Sequence, residues 1–106
     1  MADVAKAMYS GQPGTTDTLL YTAPATGAVV RNIHVANTTT LVATITIGIR
    51  SAGTLAAANH FLSALTIDPN ATYDWSGFVA LGNAETIRGL QGTASALTVT
   101  ISGVEL

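Results

Sequence analysis

The chain has 106 residues, enough for one domain, and only 9% of them are charged, against about 25% in an ordinary globular domain. The net charge is −2, the four basic residues Lys6, Arg31, Arg50 and Arg88 are scattered, and there is no cysteine. These totals exclude a basic patch for nucleic acid, a disulfide framework and a thiolate metal site, and no run approaches the roughly 18 apolar residues of a membrane span.

The first segment, MADVAKAMYSGQPG, carries one lysine and no apolar stretch of signal-peptide type, so it reads as belonging to a protein made and used without export. Residues 1–16 read as an N-terminal arm. Val4, Ala7 and Met8 would share one face of a helical turn, and Gly11, Pro13 and Gly14 then break any regular element. Such an arm is either a loose terminus or a grip on a neighbouring subunit. In the second case Val4, Met8 and Tyr9 are its candidate contacts.

From Asp17 to the end the pattern is strand, turn, strand, which defines a β-domain over 17–106. DTLLYTA is a short strand stopped by Pro24 and Gly27. AVVRNIHVAN follows, with Val29, Ile33 and Val35 assigned to one face and Val30, Asn32 and His34 to the other. NTTT is a turn in which Asn37 can form an Asx-turn. LVATITIGIR places Leu41, Ala43, Ile45, Ile47 and Ile49 on one face and Val42, Thr44, Thr46, Gly48 and Arg50 on the other, of which Thr44, Thr46 and Gly48 form a flat neutral stretch. Residues 28–36 and 41–50 therefore read as a hairpin.

Residues 55–58 fit a helical turn or a loop. HFLSALTID returns to strand, and DPN at 68–70 is a turn preset by proline and completed by Asn70. ATYDWSG and FVAL form a strand pair, or one bent strand broken at Gly77. ETIRGLQG is a further short strand. ALTVTISGVEL closes the chain, with Leu97, Val99 and Ile101 alternating against Thr98, Thr100 and Ser102. After Ser102-Gly103 the phase slips and Val104 and Leu106 become the apolar set, which suggests a β-bulge. About seven or eight short strands at this spacing predict an all-β antiparallel sandwich, the jelly roll being one arrangement of it.

Site chemistry is sparse. His34 and His60 are far apart in sequence, and Asp68, Asp74 and Glu85 are not spaced as metal ligands or as a carboxylate pair. GNAETIRG has its glycines seven apart and ahead of a strand, which is no phosphate cradle. The expectation is no enzyme, no cofactor and no metal. NTT at 37–39 and NAT at 70–72 fit the glycosylation sequon but read as turns. TIT at 44–46 and TVT at 98–100 lack the repeat period of an ice-binding array. Tyr73, Trp75 and Phe78 are either a plug for the core or, for Tyr73 and Trp75, a loop platform on which a sugar could stack.

What stands out is the neutrality of the outward positions. Thr44 and Thr46, then Thr98 and Thr100, are flat, β-branched and uncharged, where exposed sheets usually carry devices against pairing with another chain. These four residues are candidate assembly contacts, and the chain is expected to associate with copies of itself.

LLYTAPATGAVVRNIHVANTTTLVATITIGI and NHFLSALTIDPNATYDWSGFVALGNAETIRGLQGTASALTVTISGVEL together resemble small structural proteins encoded among the head and tail genes of tailed bacteriophages. The likeness spans residues 17–106 and consists of strands and turns: LYT-x-P, IHVAN, a threonine-rich strand, and a closing V-x-I-S-G-V-E. The resemblance implies an oligomeric virion component of β-sandwich fold. The expected function is a capsid decoration (cement) protein, a homotrimer that binds the major capsid protein of the assembled head and bridges capsomers. It would be made in the host bacterial cytoplasm and reside on the capsid surface. The alternative is a tail, fibre or baseplate module that binds host glycan.

Overall fold

The computed structural model describes residues 3–50 and 56–106, so Leu55, the first residue of the expected turn, lies outside the described residues. Among the described residues are eight strands: β1 Val4–Gly11, β2 Thr18–Thr22, β3 Ala28–Asn37, β4 Ala43–Arg50, β5 His60–Ile67, β6 Thr72–Leu81, β7 Thr86–Gln91 and β8 Leu97–Glu105. One 3-10 turn, Ala57–Asn59, precedes β5. The strands form two antiparallel four-stranded sheets, a front sheet in the order β1-β8-β3-β6 and a back sheet in the order β2-β7-β4-β5. β1 pairs with β8, β2 with β7, β3 with β6 and β4 with β5. The chain is thus one long hairpin rolled so that successive pairs fall alternately into two sheets, which is the jelly-roll order.

Alternation decides which side of each strand faces the other sheet. Ile33 and Val35 from β3, Val99 and Ile101 from β8, and Ile45 and Ile47 from β4 are each 2% exposed or less. Ile87 joins them from β7. Burial of each such side chain contributes on the order of 1.5–3 kcal/mol. Val29 is also buried, but it stands outside the inter-sheet core, while Val30 belongs to it. The faces expected for these two residues are exchanged, because β3 carries an extra residue at Arg31, after which the alternation resumes in opposite phase.

Several sequence expectations change. The 28–36 and 41–50 segments are not a hairpin: β3 and β4 lie in different sheets, and each pairs with strands far along the chain. The helical turn expected near residues 4–8 is strand, and Val4–Gly11 runs alongside β8 as the edge of the front sheet. Of the two arrangements expected for residues 72–81, the structure has the single strand, with its irregularity at Gly77 and Phe78. The bulge expected within β8 lies in its neighbours. β8 is continuous through Ser102 and Gly103, while Met8 of β1 and Arg31 of β3 are the extra residues on either side. The reason is at Gly103. A Cβ there would lie 2.0 Å from the Val29 carbonyl oxygen and 2.7 Å from Met8 Cε, so both neighbours close onto a space no side chain can occupy.

Candidate interaction face

The strands that look unguarded in the sequence are central ones. β4 lies between β5 and β7, and β8 lies between β1 and β3, so their backbone donors and acceptors are paired within the chain. The four edge strands are β1, β2, β5 and β6, and each is irregular. Met8 interrupts β1 and Leu20 interrupts β2. Ser63 and Ala64 of β5 face the single residue Thr46, with Ala64 at φ 46°. Gly77 and Phe78 of β6 face the single residue Arg31. A bulge twists an edge and removes a pairing position, which blocks continuous pairing with another sheet. The molecule therefore guards its edges by geometry, without charge.

The outward surface of the front sheet is then the main candidate for function. Register places its residues in cross-strand rows. Nearest the strand ends that carry the chain termini is an apolar row, Ala5, Val104, Val29 and Ala80. Next is Ala7, Ser102, Asn32 and Ser76, and then Ser10, Thr100, His34 and Asp74. Thr98, Ala36 and Thr72 form the last row, and Gln12 reaches into it by donating to the Thr98 hydroxyl at 3.5 Å.

His34 and Asp74 are the ionisable pair of these rows. His34 Nδ1 stands 3.5 Å from Asp74 Oδ1, with both side chains about half exposed. The Asn32 amide donates to the same carboxylate oxygen at 2.7 Å and to the Trp75 carbonyl at 3.0 Å. The group is thus held by neighbouring side chains, but it lies on an open sheet and not in a cleft. The back sheet differs: its outward side carries Arg88, which is ion-paired to Asp17, and Arg50, whose Nη1 donates to Asn59 at 3.3 Å.

The candidates named from sequence fall into several places. Met8 is 6% exposed and belongs to the core, and Tyr9 packs against it. Val4 is 58% exposed on the edge strand. Thr46 is buried, and its hydroxyl accepts the Ala64 N–H at 3.0 Å, so it is spent inside the fold. Thr44 is half-buried on the back sheet. Thr98 and Thr100 lie on the front face, Thr98 half-buried and Thr100 exposed. Tyr73 and Trp75 pack against the core from β6, and Trp75 meets Phe61 of β5 edge to face at 4.8 Å between centroids. These aromatics close the seam between the sheets and do not form a loop platform.

A second surface feature was not visible in the sequence. The β1–β2, β3–β4, β5–β6 and β7–β8 loops gather at one end, tied by Asn37 N–H to the Ala71 carbonyl, Asn70 N–H to the Thr39 carbonyl, and Thr38 N–H to the Ala96 carbonyl, with Gln91 N–H bonded to the Gly14 carbonyl. From this end project Leu41 and Val42, 73% and 54% exposed. Asn37 anchors their loop. Its amide donates to the Leu41 and Ile67 carbonyls, and its Oδ1 accepts the Thr39 N–H at 2.9 Å, the Asx-turn expected there.

Among the described residues no group of three His, Cys, Asp or Glu is placed to hold a metal ion, and no helix is long and apolar enough to cross a membrane. Comparison with family models, with curated proteins and with solved structures gives no match.

Proposed function

We propose that the chain is a structural virion protein of a tailed bacteriophage, a decoration protein that binds the assembled head and bridges neighbouring capsomers. The observation that carries the reading is the outward side of the front sheet. Its cross-strand rows hold serine, threonine, alanine, valine and asparagine with one compact His34–Asp74 pair, Arg31 and Phe78 stand exposed at the bulge between β3 and β6, and the surface suits contact with protein more than isolation in water. The resemblance of residues 17–106 to phage structural proteins supplies the biological setting.

The work of such a protein is physical. A shell under internal pressure fails where capsomers part. A protein that binds only the closed, expanded shell stabilises that state by RT ln(1 + [L]/Kd), about 2.7 kcal/mol per site at a hundredfold excess over Kd. The exposed Leu41 and Val42 at the loop end are the residues offered to the shell. Immunogold labelling of tailed particles bearing this chain should mark heads, and particles stripped of it should release DNA at lower temperature. Leu41→Asp with Val42→Asp should abolish re-binding while leaving the fold intact. Label confined to the tail, or equal heat resistance with and without the chain, would overturn the reading.

A further inference from the structure

Resting on that reading of the chain as an assembly module, we infer, in place of the trimer that the resemblance implies, that the outward side of the front sheet is a homodimer interface, with the two copies stacked face to face about a two-fold axis parallel to the strands. The axis runs between β8 and β3.

Row geometry selects this arrangement. Rotation about an axis along the strands keeps each row at its own level and reverses its order. β3 of the second copy then lies over β8, and β6 over β1. The apolar row, Ala5 to Ala80, meets itself, so Val104 and Ala5 face Val29 and Ala80 of the second copy. One row further along, Ser102 faces Asn32. In the ionisable row Thr100 faces His34 and Ser10 faces Asp74, each contact occurring twice. A hydroxyl can donate to the carboxylate and either donate to or accept from the imidazole, whatever its tautomer. Within these rows no like charges are brought opposite each other; Arg31, the extra residue of β3, lies between the first two rows. An axis across the strands would instead lay the apolar row on the Thr98–Ala36–Thr72 end and leave both mismatched.

Area supports the same occupant. Four strands at ~4.8 Å spacing and about eight residues at ~3.3 Å rise give a face of roughly 500 Å². Two copies would bury on the order of 1,000 Å², the lower bound for a specific interface.

The stacking also has a directional result. Because the axis runs along the strands, both loop ends point the same way, and the two Leu41–Val42 tips would reach one surface together. Two weak tips then bind as one bivalent unit.

The test is sedimentation equilibrium of the purified chain, from micromolar to millimolar concentration. The expected result is a reversible species of twice the 10.8 kDa chain mass. Thr100→Arg and, separately, Ser10→Arg should each raise the dimer dissociation constant at least tenfold, while Thr66→Arg on the back sheet leaves it unchanged. Since the chain has no cysteine, Thr100→Cys treated with a short bismaleimide should give covalent dimers, and Thr66→Cys should not. A monomer across the whole range, a trimer, or a dimer indifferent to both front-face arginines would overturn the inference. Decoration of heads by a strictly monomeric chain would overturn the dimer and leave the proposed function standing.

Discussion

Gln91 shows how one buried polar side chain organises a loop end. It is 0% exposed. Its amide donates to the Pro13 carbonyl, and its Oε1 accepts the N–H groups of Ala96 at 3.2 Å and Leu97 at 2.7 Å. One side chain thereby fastens the β1–β2 loop to the β7–β8 loop. Gln91→Leu keeps the approximate volume but strands three backbone groups, each costing about 1–3 kcal/mol when buried. A fall in unfolding free energy of about 3 kcal/mol is expected in urea titration, and a loss under ~0.5 kcal/mol would contradict this role. Tyr21 supplies a test against pH. Burial, then the hydrogen bond it donates to Glu105, then the charge of Glu105 raise its ionisation above the ordinary tyrosine range. A raised folded value means the stabilisation is complete below the unfolded value near pH ~10 and is lost as pH rises beyond it. The urea midpoint should therefore decline above about pH 10, and Tyr21→Phe should decline less steeply.

At the level of elements, β1 is the one whose role turns on position and not on composition. It pairs with β8 from Val4 to Gly11 and inserts Met8 into the core. Deleting residues 1–11 should abolish cooperative thermal unfolding or lower its midpoint by more than 10 °C, since a ΔΔG of 1 kcal/mol shifts Tm by roughly 4–8 °C in a domain of this size. A loose terminus could be removed without effect. The sequence conceals this because Ala5, Ala7 and Ser10 face outward and Lys6 is exposed at the edge, leaving Met8 and Tyr9 as the inward markers. By contrast the alternation in Ala43–Ile49 and Leu97–Ile101 makes β4 and β8 legible, together with the faces they bury. A period of two identifies a face but not a neighbour, so the partners of β3 and β4 were hidden. The His34–Asp74–Asn32 group was hidden for the same reason, its members lying about forty residues apart on strands whose pairing leaves no local mark. The bulge at Arg31 is caused by a glycine on another strand, which no window around Arg31 contains.

For the whole molecule, the distribution of charge gains its meaning from topology. A chain with 9% charged residues avoids open-ended sheet pairing because its longest apolar strands are interior and all four edges are kinked. What remains available for association is a flat face and a loop end, and these permit only closed, countable contacts. The same economy has another side. The fold depends on pairings such as β1 with β8 that join the far ends of the chain, so loop-closure entropy must be met before those contacts stabilise anything.

That pairing sets Val4 directly opposite Glu105, and the polypeptide comes back to its starting point like a ring with a narrow gap. The order in which the strands are synthesised is then separable from the architecture they build. A permuted gene, with the gap bridged by a few glycines and a new opening cut at the exposed 68–70 turn, should yield the same rolled barrel of strands, recognised by an unchanged circular dichroism spectrum. It would also offer a fresh pair of ends at the opposite pole, where a passenger peptide could be carried.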